Sequence, residues 1–292
     1  MNIILFAIIV LTSLGVVSAV ILYFVAQKFV VYEDPRIETV NELLPAANCG
    51  GCGYAGCHNF AAALVESDDI TSLFCPVGGN TLMTSVAQLL DKTVDAKEPQ
   101  VAIVRCNGSF ERRPRTSVYD GPLSCTIQHG LYTGDTNCPY GCLGCGDCAV
   151  SCKFDALTMN PATGLPVIND ASCTACGACV KACPRSIIEL RHKDRKNRKI
   201  YVSCMNRDKG GIARKYCAVA CTGCSKCFKV CTYDAIRIEH HLAYIDVKAC
   251  KMCRKCAPEC TTHTILELNL PPRKATIEKG AVSVKSTMLM ET

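Results

Sequence analysis

The hydrophobic pattern changes character along the chain. Ile3 to Ala26 is apolar and uncharged for 24 residues, which as a helix would measure about 36 Å against a hydrocarbon core of about 30 Å. A membrane span is therefore predicted. A cleaved signal peptide is the alternative, and Val17-Ser18-Ala19 faintly resembles a cleavage site. However, no Lys or Arg precedes the run, and apolar residues continue through Ile21-Leu22-Tyr23-Phe24-Val25, which favours a retained anchor. Glu33 to Pro45 reads as a polar connection, with Asp34-Pro35 disfavouring helix at that junction. Helix candidates follow at His58 to Val65 and near Leu82 to Leu90. Charged residues from Asp91 to Gln100 read as a linker, and Val101 to Arg105 as a buried strand. Beyond these, apolar stretches are short. Leu165-Pro166-Val167-Ile168 and Leu242-Ala243-Tyr244-Ile245 suit small hairpins, and Ile200-Tyr201-Val202 suits a strand. After Pro271-Pro272 an extended tail is expected.

An internal repeat accounts for that shortness. Cys142, Cys145, Cys148 and Cys152 recur 79 residues later as Cys221, Cys224, Cys227 and Cys231. Phe154-Asp155-Ala156-Leu157 follows the first run, and Tyr233-Asp234-Ala235-Ile236 follows its copy. Each half carries a second run, Cys173, Cys176, Cys179 and Cys183 in one and Cys250, Cys253, Cys256 and Cys260 in the other.

The 292 residues include 25 cysteines and no tryptophan. Secreted disulfide scaffolds reach such densities only when small, and the two-residue gaps here are metal-ligand spacings. Metal in a reducing compartment is the reading. The spacing C-x2-C-x2-C-x3-C is that of bacterial ferredoxins, whose fourth Cys ligates the other cluster. The expected sets are Cys142, Cys145, Cys148 and Cys183, then Cys173, Cys176, Cys179 and Cys152. In the second module they are Cys221, Cys224, Cys227 and Cys260, then Cys250, Cys253, Cys256 and Cys231. Zinc also takes four thiolates, but zinc knuckles pair two C-x2-C units. Proline follows only Cys183; Lys153, Thr232 and Thr261 replace it elsewhere, which leaves the local backbone geometry open.

Cys49, Cys52, Cys57 and Cys75 form a further set, with Gly50, Gly51, Gly53 and Gly56 allowing tight winding. A structural zinc is the alternative there. Five [4Fe-4S] clusters are thus expected. Cys106, Cys125, Cys138, Cys204 and Cys217 remain; four of them could hold a sixth cluster, but the plainer expectation is packing as small hydrophobes. His58 and His263 are expected to be ordinary surface or packing residues.

The formal charge of +6 turns into a modest deficit once five clusters of about −2 each are counted, so no nucleic-acid partner is inferred. Arg191 to Lys199, together with Arg105, Arg112, Arg113 and Arg115, is a candidate docking surface for an acidic carrier, with a solvated face as the alternative. No P-loop, dinucleotide fingerprint or Ser/His/Asp arrangement stands out. Lys28 and Arg36 follow the span, which places the body on the cytoplasmic side of the inner membrane.

These readings give an α+β fold class. The chain divides into an anchor (1–27), a linker (28–47), a four-cysteine domain (48–98), a connecting segment (99–137), a ferredoxin-like module (138–190), a basic linker (191–216), a second module (217–268) and a tail (269–292).

With the span, Asn48-Cys49-Gly50-Gly51-Cys52-Gly53-Tyr54-Ala55-Gly56-Cys57, Arg105-Cys106-Asn107-Gly108, Tyr140-Gly141-Cys142-Leu143-Gly144-Cys145-Gly146-Asp147-Cys148 and the ferredoxin runs, the chain resembles the B-type, electron-input iron–sulfur component of Rnf complexes, the ion-translocating ferredoxin:NAD oxidoreductases. The resemblance implies electron input from reduced ferredoxin, membrane subunits as partners, and a separate subunit for flavin and NAD. It also hints that Cys106, Cys125 and Cys138 matter structurally or as ligands. A subunit of another hydrogenase or dehydrogenase assembly, or a zinc-stabilised membrane scaffold, is the competing reading.

Overall fold

The structure, a computed structural model, describes residues 3–28, 33–132, 134–194 and 196–273. The chain forms two compact units, Met1–Lys97 and Glu98–Thr292. Most of the expected tail, 274–292, lies outside the described residues, as do 1–2 and 29–32 of the anchor and linker.

In the first unit, α1 spans Ile3–Lys28, and its apolar side chains are exposed. It is the one helix among the described residues long and apolar enough to cross a membrane. Its few hydroxyls do not interrupt that face. Thr12 Oγ1 donates to Ile8 O at 2.8 Å and Ser13 Oγ to Val10 O at 2.9 Å, so neither needs water.

The expected polar connection contains a helix, α2 (Pro35–Leu43). Asp34 is extended, as a residue before proline must be, and its side chain accepts from Arg36 N at 2.9 Å. Pro35 then occupies a first-turn position where its missing N–H costs nothing. Thus the Asp-Pro pair starts a helix instead of preventing one, and Ile37 and Val40 make it worth forming by being buried. They pack with Phe60 and Leu64 of α3 (Cys57–Glu66) and Met83 and Val86 of α4 (Gly79–Leu90). Lys92 Nζ donates to the carbonyls of Leu64, Val65 and Ser67 at 2.7–2.9 Å, satisfying the open C-terminus of α3.

The second unit begins with β1 (Gln100–Val104) and α5 (Cys125–Leu131), then repeats a small pattern. The first copy has α6 (Asp147–Val150), the hairpin β2 (Leu157–Asn160) and β3 (Leu165–Ile168), α7 (Ala178–Ala182) and β4 (Ile188–His192). β5 (Lys199–Val202) and α8 (Gly210–Tyr216) lead into the second copy. It contains α9 (Lys226–Lys229), the hairpin β6 (Ile236–Glu239) and β7 (Leu242–Ile245), and β8 (Ile265–Leu268). All four strand pairs are antiparallel. β1 pairs with β4 in register Ala102 to Leu190, and β5 with β8 in register Tyr201 to Leu266. Each module is therefore closed by a strand lying upstream of its own cysteines.

Part of the expected basic surface lies indoors. Arg105 and Arg113 are buried, as are Arg191 and Lys199. Arg105 Nη1 reaches Glu189 at 3.4 Å and Nη2 donates to Cys204 O at 3.3 Å. Lys199 pairs with Asp170, and Arg198 with Asp194 at 2.6 Å. The guanidiniums of Arg105 and Arg191 each lie 4.9 Å from the Tyr244 ring, joining the two modules by cation–π contact. Arg105, Arg113 and Arg191 are therefore part of the buried seam, whereas Arg112 and Arg115 stay exposed.

Candidate metal centres

In the first unit one pocket is lined by Cys49, Cys52, Cys57 and Cys75 together. The loop holding the first three is pinned by Asn48, whose Oδ1 accepts from Cys57 N at 2.8 Å. Gly50, at φ +69°, makes the left-handed turn between two of the thiols. Gly78 N donates to Cys75 Sγ at 3.4 Å. Burial first, and then the fields of Cys52 and Cys49, push the Cys75 thiol up.

In the second unit the crossed ligand sets come together. One pocket is lined by Cys152, Cys173, Cys176 and Cys179, another by Cys221, Cys224, Cys227 and Cys260, a third by Cys231, Cys250, Cys253 and Cys256. The fourth departs from expectation. Its walls carry Cys142, Cys148 and Cys183 with Cys125, whereas Cys145 Sγ lies 3.1 Å from Gln128 Oε1. Cys125 is placed by Asp147, whose carboxylate accepts from Cys125 N at 2.8 Å and Ser124 Oγ at 2.9 Å. No local spacing announces Cys125, because it stands 17 positions before Cys142.

All four runs wind alike. The residues two and four places after the first cysteine have positive φ: Gly144 and Gly146, Ala175 and Gly177, Gly223 and Ser225, Met252 and Arg254. So does the third residue after each last cysteine, namely Asp155, Ser186, Asp234 and His263. The three runs without proline thus keep the turn of the run that has it. Backbone N–H groups point at sulfur: Thr264 N, just past the last run, donates to Cys260 Sγ at 3.3 Å, and Ala243 N of β7 donates to Cys221 Sγ at 3.5 Å.

Burial pushes the Cys148 and Cys256 thiols up to about 12, and neighbouring cysteines add to it. Thiolates gathered this closely need cationic compensation, which metal supplies. Among the described residues, no three His, Cys, Asp or Glu groups close to the range of one shared ion. Rings of four thiols around wider pockets suit clusters, in which each thiolate binds its own iron, better than a single tetrahedral zinc.

Comparison with known proteins agrees with this donor chemistry. Residues 44–76 match the Fe-S cluster family FeS, and residues 141–187 and 172–235 match the 4Fe-4S dicluster domain family. The chain is 39% identical to the B-type component of the Na(+)-translocating ferredoxin:NAD(+) oxidoreductase complex of Acetobacterium woodii, over 91% of this chain and 78% of that protein. It is 37% identical to the B-type component of the proton-translocating ferredoxin:NAD(+) oxidoreductase complex of Clostridium ljungdahlii, over 91% and 93%. To the B-type component of the ion-translocating oxidoreductase complex of Methanosarcina acetivorans it is 38% identical, over 88% and 95%. By this likeness along nearly its whole length, the chain belongs to the family of B-type components of ion-translocating oxidoreductase (Rnf) complexes.

Proposed function

We propose that this chain is the membrane-anchored electron-transfer subunit of an ion-translocating ferredoxin:NAD oxidoreductase. In this reading it accepts electrons from reduced ferredoxin and passes them through five [4Fe-4S] centres to membrane partners. A different subunit handles flavin and NAD. The relatives' names differ in the ion, Na(+) in one and a proton in another, so the ion is left general.

The crossing of ligands between runs carries the proposal. Cys183 closes the pocket of the first run and Cys152 that of the second, while Cys260 and Cys231 do the same in the other module. Each module's two centres are thereby tied through the short chain stretches between the third and fourth cysteines of its runs, an arrangement for passing charge that a structural zinc would not require. When bound, the clusters supply one-electron carriers whose potentials follow burial and hydrogen bonding. The chain's part is to hold thiolates in place, direct amides at them and exclude water. Cys49, Cys52, Cys57 and Cys75 are the proposed ligands in the first unit. In the first module they are Cys142, Cys145, Cys148 and Cys183, with Cys125 on the same wall. α1 is the proposed anchor, with the centres on the cytoplasmic side of the inner membrane, since Lys28 and Arg36 lie after the span.

Anaerobically purified chain should carry at least about twenty irons, four for each of five centres, and bleach in the visible range when reduced ferredoxin is added. Colourless protein holding zinc would end this reading.

A further inference from the structure

We propose that Cys106, Cys138, Cys204 and Cys217 hold a sixth [4Fe-4S] cluster at the seam between the two modules. The proposal rests on the reading above, that the other cysteine sets bind clusters. Their separations in sequence, 31, 65 and 12 intervening residues, match no motif. Folding brings them together because β1 delivers Cys106 and β5 delivers Cys204 from the two closing strands.

Asn206 ties two of the thiols. Its side-chain amide donates to Cys138 Sγ at 3.6 Å and its backbone N–H to Cys204 Sγ at 3.4 Å, and it is 1% exposed. Arg113 lies beside Cys217 and Cys138. A Cβ on Gly108 would lie 3.4 Å from both Arg113 Nε and Cys217 Sγ. A Cβ on Gly141 would collide with Arg113 Nη1 and stand 3.4 Å from Cys138 Sγ. The guanidinium fills the space beside the sulfurs, leaving no room for a side chain at Gly141 and little at Gly108. Arg113 is 6% exposed; its Nη2 donates to Cys142 O, but its Nε has no hydrogen-bond partner. A cation buried there is costly unless negative charge faces it. Arg185 adds a second cation, donating to Cys138 O at 3.2 Å and Gly141 O at 2.6 Å. Four thiolates on a four-iron cluster carry about −2 when oxidised, which two guanidiniums balance.

The thiols also feel one another's fields. Burial pushes Cys217 up, and Cys106 and Cys138 push it further while Arg113 opposes them. Cys204 is pushed up to about 12 by burial, with Cys106 contributing. Ordinary hydrophobic packing explains neither the buried guanidinium with its open Nε nor the amide donors aimed at sulfur.

Position indicates the use. Cys142 N donates to Cys106 Sγ at 3.4 Å, and the N–H of Cys221 lowers the Cys204 thiol. The site therefore touches a ligand of the first module's centre and a ligand of the second module's. A carrier here would take one electron from the centre on one side, which is oxidised, and give it to the centre on the other, which is reduced. No bond or proton changes place.

Iron, sulfide and zinc should be counted on anaerobically purified full-length chain and on Cys138→Ser/Cys217→Ser. The wild type should hold about 24 irons and the variant about four fewer, with one component missing from its reduced paramagnetic spectrum. Equal counts near twenty would overturn the sixth centre while leaving the five intact, as would one zinc per chain lost on substitution. Iron near zero in the wild type would instead sink the underlying reading. Should the double variant fail to fold, Cys106→Ala, at the half-buried member of the set, must show the same loss of four.

Discussion

Cys125 owes its place on the first pocket's wall to one carboxylate. Asp147 sits between two ligand positions of its own run and reaches back to accept from Cys125 N, Thr126 N and Ser124 Oγ. Burial pushes the Asp147 carboxyl up, but these hydrogen bonds outweigh it and hold it below the ordinary range. A depressed carboxyl pKa means that the clamp is present above about pH 4 and is lost as pH falls through the lowered value. Near neutrality it is constant. Four thiols, Cys125, Cys142, Cys148 and Cys183, line that pocket, while a fifth, Cys145, lies against Gln128. Cys145→Ser alone should keep its iron, because Cys125 already faces the pocket, and the count should be flat between about pH 6 and 8. Cys125→Ser/Cys145→Ser should lose about four irons per chain. Loss in the single variant, measured by iron analysis, would show that Cys125 does not serve.

The turn around each cysteine run is the element on which the centres depend, and its backbone is the same whether or not glycine is present. Gly144 and Gly223 occupy the first left-handed position in two runs, and Ala175 and Met252 occupy it in the others. A non-glycine residue there costs about 1–2 kcal/mol, which the surrounding fold offsets. A β-branched residue would be worse, and at Gly144 its Cβ would also stand 3.2 Å from Gly164 O. Gly144→Val should therefore lower the yield of iron-loaded protein severalfold, whereas Met252→Gly should load as the wild type does; equal loading of both would refute the turn argument. This element also marks how far reading by residue type reaches. Three of the four crossed cysteine groupings were legible because the runs carry the bacterial-ferredoxin spacing, though Cys125 and not Cys145 lines the fourth pocket. The hairpins were legible because Leu165–Ile168 and Leu242–Ile245 are short and apolar. The left-handed Met252 and Arg254 were not legible, since neither residue advertises positive φ. Nor was α2, because Asp34-Pro35 reads equally as a break and as a helix start. The gathering of Cys106, Cys138, Cys204 and Cys217 depends on β1 pairing with β4 and β5 with β8, pairings between segments dozens of residues apart.

At the scale of the whole molecule, the anchor and the centres make separate demands on the chain. α1 has 26 residues, about 39 Å at 1.5 Å per residue, which exceeds a hydrocarbon core of about 30 Å and fits with tilt. None of its residues lines a cysteine pocket; the pocket nearest it in sequence begins at Leu44, and the buried core of that unit begins at Ile37. Membrane attachment and cluster binding should therefore come apart. A chain lacking residues 1–28, expressed without partner subunits, should move from the membrane fraction to the soluble fraction. It should still carry the full-length iron count and still be reduced by ferredoxin. Retention on membranes would mean that another surface meets lipid. Loss of iron would mean that α1 is needed for the first unit to fold around Cys49, Cys52, Cys57 and Cys75, and a deficit of about four atoms would place the damage there, because the second unit draws its own core from Ala102 onward.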